Sequence, residues 1–290
     1  MITLKGLAKT GVQIPEIGLG TWQYKGGVEP LRTGIGLGAA FIDTAESYGT
    51  EEVVGEAIQG IRQRIFLATK VSPRHFRRQA VFTAAENSLK RLRTDYIDLY
   101  QLHWPNYTVP IAETMGAMEE LVKMGKIRCI GVSNFSVREL AQAQKALVKN
   151  RIVSNQVRYS LVDRTIEHGL LPYCEMNQIT MIGFSPLALG LPNIQRYDTE
   201  NVLSRVAQAA GKSRAQIALN WCVSHAPVVT IPKADRVEHV RDNCGASGWR
   251  LEPRHLQALN EGIRFRRRSI PEAFARRAAR RVLQHLGGNA

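Results

Sequence analysis

Apolar residues fall in short runs along most of the chain, and the runs alternate with longer stretches whose apolar positions recur every three or four residues. The runs are EIGLGTW (16–22), AFIDTA (40–45), RIFLATK (64–70), YIDLYQLH (96–103), KIRCIGVS (126–133), IVSNQV (152–157), TMIGFS (180–185) and VVTIPK (228–233). They read as eight buried strands. Between them EEVVGEAIQG, RQAVFTAAENSLKRL, IAETMGAMEELVKM, VRELAQAQKALVK, EHGLLPYCEMN, TENVLSRVAQAA and RAQIALNWCVSH carry the i, i+3, i+4 spacing of amphipathic helices. Strands apolar on both faces, alternating with helices, predict a parallel sheet closed into a (β/α)8 TIM barrel with its helices outside. LRTGIGLG (31–38) is the weak link, glycine-rich where a helix former is expected.

In front of the barrel, ITLKGLAKTGVQIP reads as two short strands around a Thr-Gly turn, an N-terminal hairpin cap over residues 1–15. The expected organisation is one barrel unit over residues 1–263 followed by a basic helical tail over 264–290. A doubly wound dinucleotide fold is the rival, since GIGLGA resembles its glycine fingerprint. Those glycines precede the strand AFIDTA, whereas a phosphate turn must follow a strand and open a helix, so the fingerprint is rejected.

Composition removes other classes. A chain of 290 residues suits one large barrel, and 44% hydrophobic with 22% charged residues excludes disorder. The net charge of +14 invites a nucleic-acid reading, but the tail alone sets eight arginines against Glu272 and holds half of that excess. The rest is mildly basic, without aromatics interleaved along a basic face, so no nucleic-acid partner is expected. No apolar run reaches the roughly 20 residues that span a bilayer and the N-terminus lacks the pattern of a signal peptide, so a cytoplasmic protein without a membrane partner is expected. Cys129, Cys174, Cys222 and Cys244 are scattered without a C-x-x-C pair, which reads as reduced thiols rather than a disulfide framework or a metal site.

Barrel enzymes carry their chemistry at the C-terminal ends of the strands. Asp43 lies near the end of the second predicted barrel strand with Tyr48 in the loop after it, Lys70 ends the third and His103 ends the fourth. Singly, each has a bland reading: an Asx turn, a surface ring, a solvated amine, a core imidazole. Together, three successive strands bring an acid, a phenol, an amine and an imidazole to one rim. Reducing a carbonyl by hydride leaves an alkoxide that needs a proton, and a free tyrosine with a pKa of about 10 gives one reluctantly. An ammonium beside the phenol is expected to lower that pKa, a carboxylate to hold the ammonium, and a neutral imidazole to donate to the substrate oxygen. Lys70, Asp43 and His103 fit those roles, with Tyr48 as proton donor.

The ordered segments IDTAESYGTEEVVGEAI, ATKV, YIDLYQLHWP, GKIRCIGVSNF, SNQVRYS, FSPLALG and IPKADRVEHVRDN resemble the aldo-keto reductase family over nearly the whole chain to about residue 262. The resemblance implies Asp43, Tyr48, Lys70 and His103 as a catalytic tetrad and a nicotinamide cofactor across the barrel mouth. It implies Ser133, Asn134 and Gln156 around the nicotinamide carboxamide, with Ser133-Asn134 also a helix N-cap before VRELAQ. Phe184 stands where many members stack a tyrosine on the nicotinamide, and Ser185 and Leu187 follow it in FSPLALG. Lys233 matches the residue that meets the 2′-phosphate, and Asp242 and Asn243 those that hold adenine. Ala234 replaces a common Ser or Thr, and His239 stands where many NADPH-preferring members have arginine, a permanent charge that histidine lacks. Arg236 or Arg241 can compensate, so NADPH is the expected cofactor and NADH use stays open.

Trp22 and Trp104, with Tyr24 as a weaker candidate, are expected to wall a pocket for small aldehydes or ketones, and Ser72 to leave the mouth roomy. The loop LGLPNIQRYD is short for a strap over the cofactor. In the tail, Ala275, Ala278, Ala279, Val282 and Leu286 form one apolar stripe of an amphipathic helix after Pro271, read as packing on the barrel rim or crossing from a partner subunit, with a tail arginine steering anionic substrates to the pocket as the second reading that the resemblance implies. Whether the protein is a monomer or a homo-oligomer is undecided at this level. Two further readings stay open: a cofactor-sensing module with little turnover, and a Schiff-base role for Lys70.

Overall fold

The structure, a computed structural model, describes residues 1–266 together with Ala278, Ala279 and Val282. It begins with β1 (Leu4–Gly6) and β2 (Gln13–Pro15), which pair antiparallel. There follow β3 (Leu19–Gly20), α1 (Val28–Gly36), β4 (Phe41–Asp43), α2 (Glu51–Ile58), β5 (Phe66–Val71), α3 (Arg78–Leu92), β6 (Ile97–Leu102), α4 (Ile111–Lys123), β7 (Ile127–Ser133) and α5 (Val137–Lys145). The remainder is β8 (Ile152–Arg158), α6 (Leu170–Met176), β9 (Thr180–Phe184), α7 (Leu191–Gln195), α8 (Val202–Ala210), α9 (Arg214–Val223), β10 (Val228–Thr230), α10 (Val237–Cys244) and α11 (Pro253–Gly262).

Strands β3 to β10 form one eight-stranded sheet in chain order, each parallel to its neighbour. Its two edges meet: Gly18 N donates to Thr230 O at 2.8 Å, Thr230 N to Glu16 O at 2.8 Å and Gly20 N to Pro232 O at 3.2 Å. The sheet therefore closes on itself, and the (β/α)8 barrel predicted from the apolar runs is the observed fold. β3 and β10 are shorter than their runs because this closure uses a few isolated bonds rather than a continuous ladder.

Alternation along the strands sets the interior. Phe41, Ala68, Leu99, Ile182 and Val229 form a fully buried cluster that Leu7 and Ile14 join from the hairpin side. Lys5 of β1 donates to Val223 O at 2.5 Å, His225 O at 3.0 Å and Val228 O at 2.8 Å, where α9 stops and β10 starts. The hairpin thus covers the N-terminal end of the barrel and leaves the C-terminal end as the mouth. Higher up, Gly131 of β7 lets side chains meet across the barrel, since a Cβ there lies 2.5 Å from Ser154 Oγ and 2.9 Å from Gln101 Cγ.

The glycine-rich segment does form a helix. In α1 a Cβ on Gly34 sits 2.7 Å from Leu19 Cδ2, so tertiary packing selects glycine against its poor helix propensity. Thr50 stands at the N-cap of α2 without capping it by its side chain. Its hydroxyl instead joins those of Thr44 and Thr21, each at 3.0 Å. Helix α11 escaped the sequence reading because only His255 and Leu259 are buried along it, too sparse a stripe to stand out. The predicted tail helix lies outside the described residues except at Ala278, Ala279 and Val282, which are helical and exposed. No helix among the described residues is long and apolar enough to cross a membrane.

Candidate active site

β4 is buried along its whole length and delivers Asp43, 1% exposed, beside Lys70 of β5, 0% exposed. Lys70 Nζ donates to Asp43 Oδ1 at 2.5 Å and to Thr44 O at 2.7 Å. The other carboxylate oxygen, Oδ2, accepts from Gln156 Nε2 at 2.7 Å and from Gln101 Nε2 at 3.2 Å. A carboxylate only accepts, so both amides turn their N–H2 groups toward it. A buried ion pair persists where such bonds satisfy its remaining lone pairs. Burial pulls the Lys70 pKa down, but Asp43 and Tyr48 together outweigh it and the net direction is up. The amine therefore stays charged.

Tyr48 closes a single 3-10 turn, Glu46–Tyr48, that lifts the phenol over this pair. Lys70 Nζ is 4.9 Å from its ring centroid, and the hydroxyl is 3.4 Å from His103 Nε2. The two rings meet edge to face at 5.4 Å. Burial pushes the phenol pKa up, Lys70 pulls it down, Asp43 adds to the rise, and the net direction is up. The expectation that the ammonium lowers the phenol below its ordinary value is thus corrected: Lys70 acts in the expected direction, and loss of hydration outweighs it.

His103 follows β6, its N–H donating to Val71 O at 3.0 Å. Burial, aided by the Lys70 charge, pushes its imidazole down to about 3, so it is neutral at pH 7 and carries one N–H. Nδ1 is 3.4 Å from Ser47 Oγ, and Asn134 Nδ2 donates to the His103 carbonyl at 3.1 Å. A stability test follows from this depressed pKa. Unfolded His103 gains a proton as pH falls below about 6.5 and the folded one does not until about pH 3, so stability is lost across that window on acidification. His103→Gln is expected to flatten part of the fall in melting temperature between those values; an unchanged slope would contradict the buried neutral imidazole.

Beside the tetrad, Ser133 ends β7 at 1% exposure and donates to Gln156 O at 2.9 Å. Asn134 takes a left-handed φ of 64° and donates to Ser133 Oγ at 2.9 Å. Neither caps α5. Ser136 does, through a reciprocal box with Glu139, because Asn134 is held in the turn before it. Gln156, expected on the cofactor side alone, also reaches Asp43. Phe184 ends β9 half-buried, with a loop after it in which Ser185, Ala188 and Leu189 all have positive φ and Leu187 packs on the core. Non-glycine residues held in that region mark a loop shaped by something other than local preference.

Farther along the rim, Lys233 is exposed and donates to Asp235 Oδ2 at 2.5 Å, and Lys25 N donates to Asp235 Oδ1 at 2.9 Å. His239 Nε2 and Arg236 are 2.7 Å apart, both exposed. Asp242 accepts from Ser213 Oγ at 2.7 Å, and Asn243 is buried. Amides at one end, an aromatic face and strained loop in the middle, and basic side chains at the other fit a nicotinamide dinucleotide in donor set and polarity. Asp235 is the discordant group, a carboxylate already holding the lysine expected to meet a phosphate.

Of the pocket residues, Trp22 is 45% exposed and Trp104 stacks at 6.4 Å from His103. Tyr24 is corrected: it is 7% exposed and donates to Gly27 O at 2.7 Å, packed in the core beneath the loop. Burial pushes its phenol up to about 12. Ser72 is likewise buried, its N–H donating to Glu46 Oε1 at 2.5 Å. The sequence reading missed Gln101. Its signal was an amide on one face of the strand, two residues after Leu99 and two before His103. Among the described residues, no three His, Cys, Asp or Glu side chains gather as a metal site does.

The profile of the Aldo/keto reductase family matches residues 16–263. A methylglyoxal reductase of Escherichia coli is 40% identical over 260 residues, covering 86% of this chain and 91% of its own. A glyoxal reductase of Bacillus subtilis is 36% identical, covering 86% and 89%. Among solved structures, an aldo-keto reductase from Klebsiella pneumoniae in complex with NADPH superposes with a TM-score of 0.85 at 38% identity, covering 92% of this chain and 98% of that one. By profile, sequence and fold alike, the chain belongs to the aldo/keto reductase family and is an oxidoreductase that acts on carbonyl groups with NAD(P)H as reductant.

Proposed function

We propose that the protein reduces small aldehydes, 2-oxoaldehydes among them, with NADPH, Tyr48 giving the proton to the carbonyl oxygen. The observation that carries this reading is the phenol and the neutral imidazole 3.4 Å apart above a fully buried Lys70–Asp43 pair. When bound, the cofactor supplies the hydride to the carbonyl carbon. The chain does the rest. His103 donates its N–H to the carbonyl oxygen and stabilises the charge forming there. Tyr48 transfers its hydroxyl proton to that oxygen, and Lys70 balances the phenolate left behind until solvent returns a proton. Asp43 holds Lys70 in place and charged, and Gln101 and Gln156 hold Asp43.

Ser133, Asn134 and Gln156 are assigned to the nicotinamide carboxamide, and Phe184 to the face of its ring. Ser185 and Leu187 line the loop over the middle of the cofactor, Lys233 and His239 flank the 2′-phosphate, and Asp242 and Asn243 border the adenine. Trp22 and Trp104 wall the substrate. Relatives named as methylglyoxal and glyoxal reductases support small 2-oxoaldehydes, and the NADPH-bound neighbour supports the cofactor. Four unpaired cysteines suit a reducing compartment, the cytoplasm.

The test is NADPH consumption across methylglyoxal, glyoxal, an aromatic aldehyde and a simple ketone. Aldehydes are expected to exceed the ketone at least about tenfold in kcat/KM, a difference of roughly 1.4 kcal/mol. Consumption with none of them would favour a sensing module instead. The cofactor preference has its own probe at Asp235. Its carboxyl is held below the usual range because Lys233 and the Lys25 N–H outweigh the upward push of burial, so it is ionised and repels a phosphate. Asp235→Asn keeps an acceptor for Lys25 N and frees Lys233, so the NADPH-to-NADH ratio of kcat/KM is expected to rise about five- to tenfold. A ratio that stays level or falls would remove Lys233 from the phosphate site.

A further inference from the structure

Two side chains of one turn meet the two nitrogens of one ring. Ser47 and Tyr48 are consecutive in the 3-10 turn Glu46–Tyr48. Ser47 Oγ is 3.4 Å from His103 Nδ1, and the Tyr48 hydroxyl is 3.4 Å from His103 Nε2. The turn is held against the strand that carries Lys70. The Glu46 carboxylate, its side chain 5% exposed, accepts from Ser72 N at 2.5 Å and lies 2.9 Å from His75 Nδ1. Thr44 O, just before the turn, accepts from Lys70 Nζ at 2.7 Å. Ser47 is exposed, and its place beside the ring is set by these bonds rather than by its own packing.

A neutral imidazole has one N–H and one bare nitrogen, so of the two hydroxyls that meet the ring one accepts and the other donates. A carbonyl oxygen only accepts. For Tyr48 and His103 both to donate to it, the ring proton has to be on Nε2, and the Nδ1 lone pair then faces Ser47. With the proton on Nδ1 instead, Nε2 would accept from the Tyr48 hydroxyl, engaging the proton the phenol must give, and would turn a lone pair toward the carbonyl oxygen. Which nitrogen carries the proton is set by the hydrogen bond the other one makes. The burial that holds this imidazole down at about 3 also makes a lone pair without a donor costly.

We propose that Ser47 is a positioning residue of the active site: its hydroxyl donates to His103 Nδ1 and keeps the imidazole proton on Nε2, the nitrogen that faces Tyr48 and the carbonyl oxygen. The inference rests on the carbonyl-reductase reading above and adds to it the group that sets the tautomer. Ser47 acts through the ring and not on the substrate itself.

The experiment reads tautomer and rate separately in the full-length wild type, Ser47→Ala and Ser47→Thr. Proton–nitrogen correlation spectra of the histidine rings, in protein labelled with the heavy nitrogen isotope, are recorded at pH 7 with and without NADP+ and a simple ketone, a pair that cannot react together. The His103 signal is the one that His103→Gln lacks. Wild type and Ser47→Thr are expected to carry the ring proton on Nε2, and Ser47→Ala to move it to Nδ1 or to a mixture of the two. In Ser47→Ala, kcat with an aldehyde and NADPH is expected to fall about three- to tenfold, the reach of one hydrogen bond, while NADPH affinity holds within about twofold. Ser47→Thr, which keeps the hydroxyl, is expected to return kcat to within about twofold of wild type. A wild type with the proton on Nδ1, a Ser47→Ala variant that keeps it on Nε2, or a Ser47→Thr variant that does not restore it would overturn the inference. A wild type that shows the expected tautomer and turns over no aldehyde would overturn the reductase reading and leave the Ser47–His103 assignment standing.

Discussion

Lys70→Met is expected to lose stability and turnover together. Methionine fills the space of the stem, but Asp43 then stands 1% exposed with a charge met only by the Gln101 and Gln156 amides. Breaking one side of a buried pair in this way costs about 3–5 kcal/mol. That is a large share of the ~5–15 kcal/mol that holds a typical domain folded. Denaturant unfolding at pH 7 measures it. Adding Asp43→Leu separates the two effects: removing the stranded charge is expected to recover most of the stability and none of the activity. A double variant as unstable as Lys70→Met would show that the orphaned carboxylate is not the cause.

Tyr48→Phe is expected to lower kcat by roughly 10²- to 10⁴-fold, the usual contribution of a positioned general acid. The substitution is narrow. Phenylalanine keeps the ring edge-on to His103 and over Lys70, and removes the hydroxyl that lies 3.4 Å from His103 Nε2. Binding of NADPH, followed by fluorescence titration, is expected to stay within about twofold, since the phenol takes no part in the proposed cofactor cradle. Wild-type turnover in this variant would move the proton donor elsewhere.

The barrel was legible because parallel strands buried on both faces appear in the sequence as uninterrupted apolar runs. Asp43, Lys70 and His103 stood out for the converse reason: each is a charged or titratable group at the C-terminal end of such a run, where polarity has a cost unless the site uses it. What surrounds them was less visible. The Gln156–Asp43 bond joins residues 113 positions apart, and only closure of the barrel brings them together. Tyr24 and Ser72 looked like mouth residues by position, and the way their loops fold back buries both. The balance of forces on the Tyr48 phenol was also out of reach, because the sequence names the cation beside it and says nothing of how much water the fold removes.

Hydride transfer is tested most directly with NADPH carrying deuterium at the transferring position of its nicotinamide ring and an aldehyde acceptor. Direct reduction by this chain predicts one deuterium on the carbinol carbon of each alcohol formed by the wild type, and alcohol formation near the blank with Tyr48→Phe. Alcohol without the label, or labelled alcohol formed as fast by Tyr48→Phe as by the wild type, would contradict it.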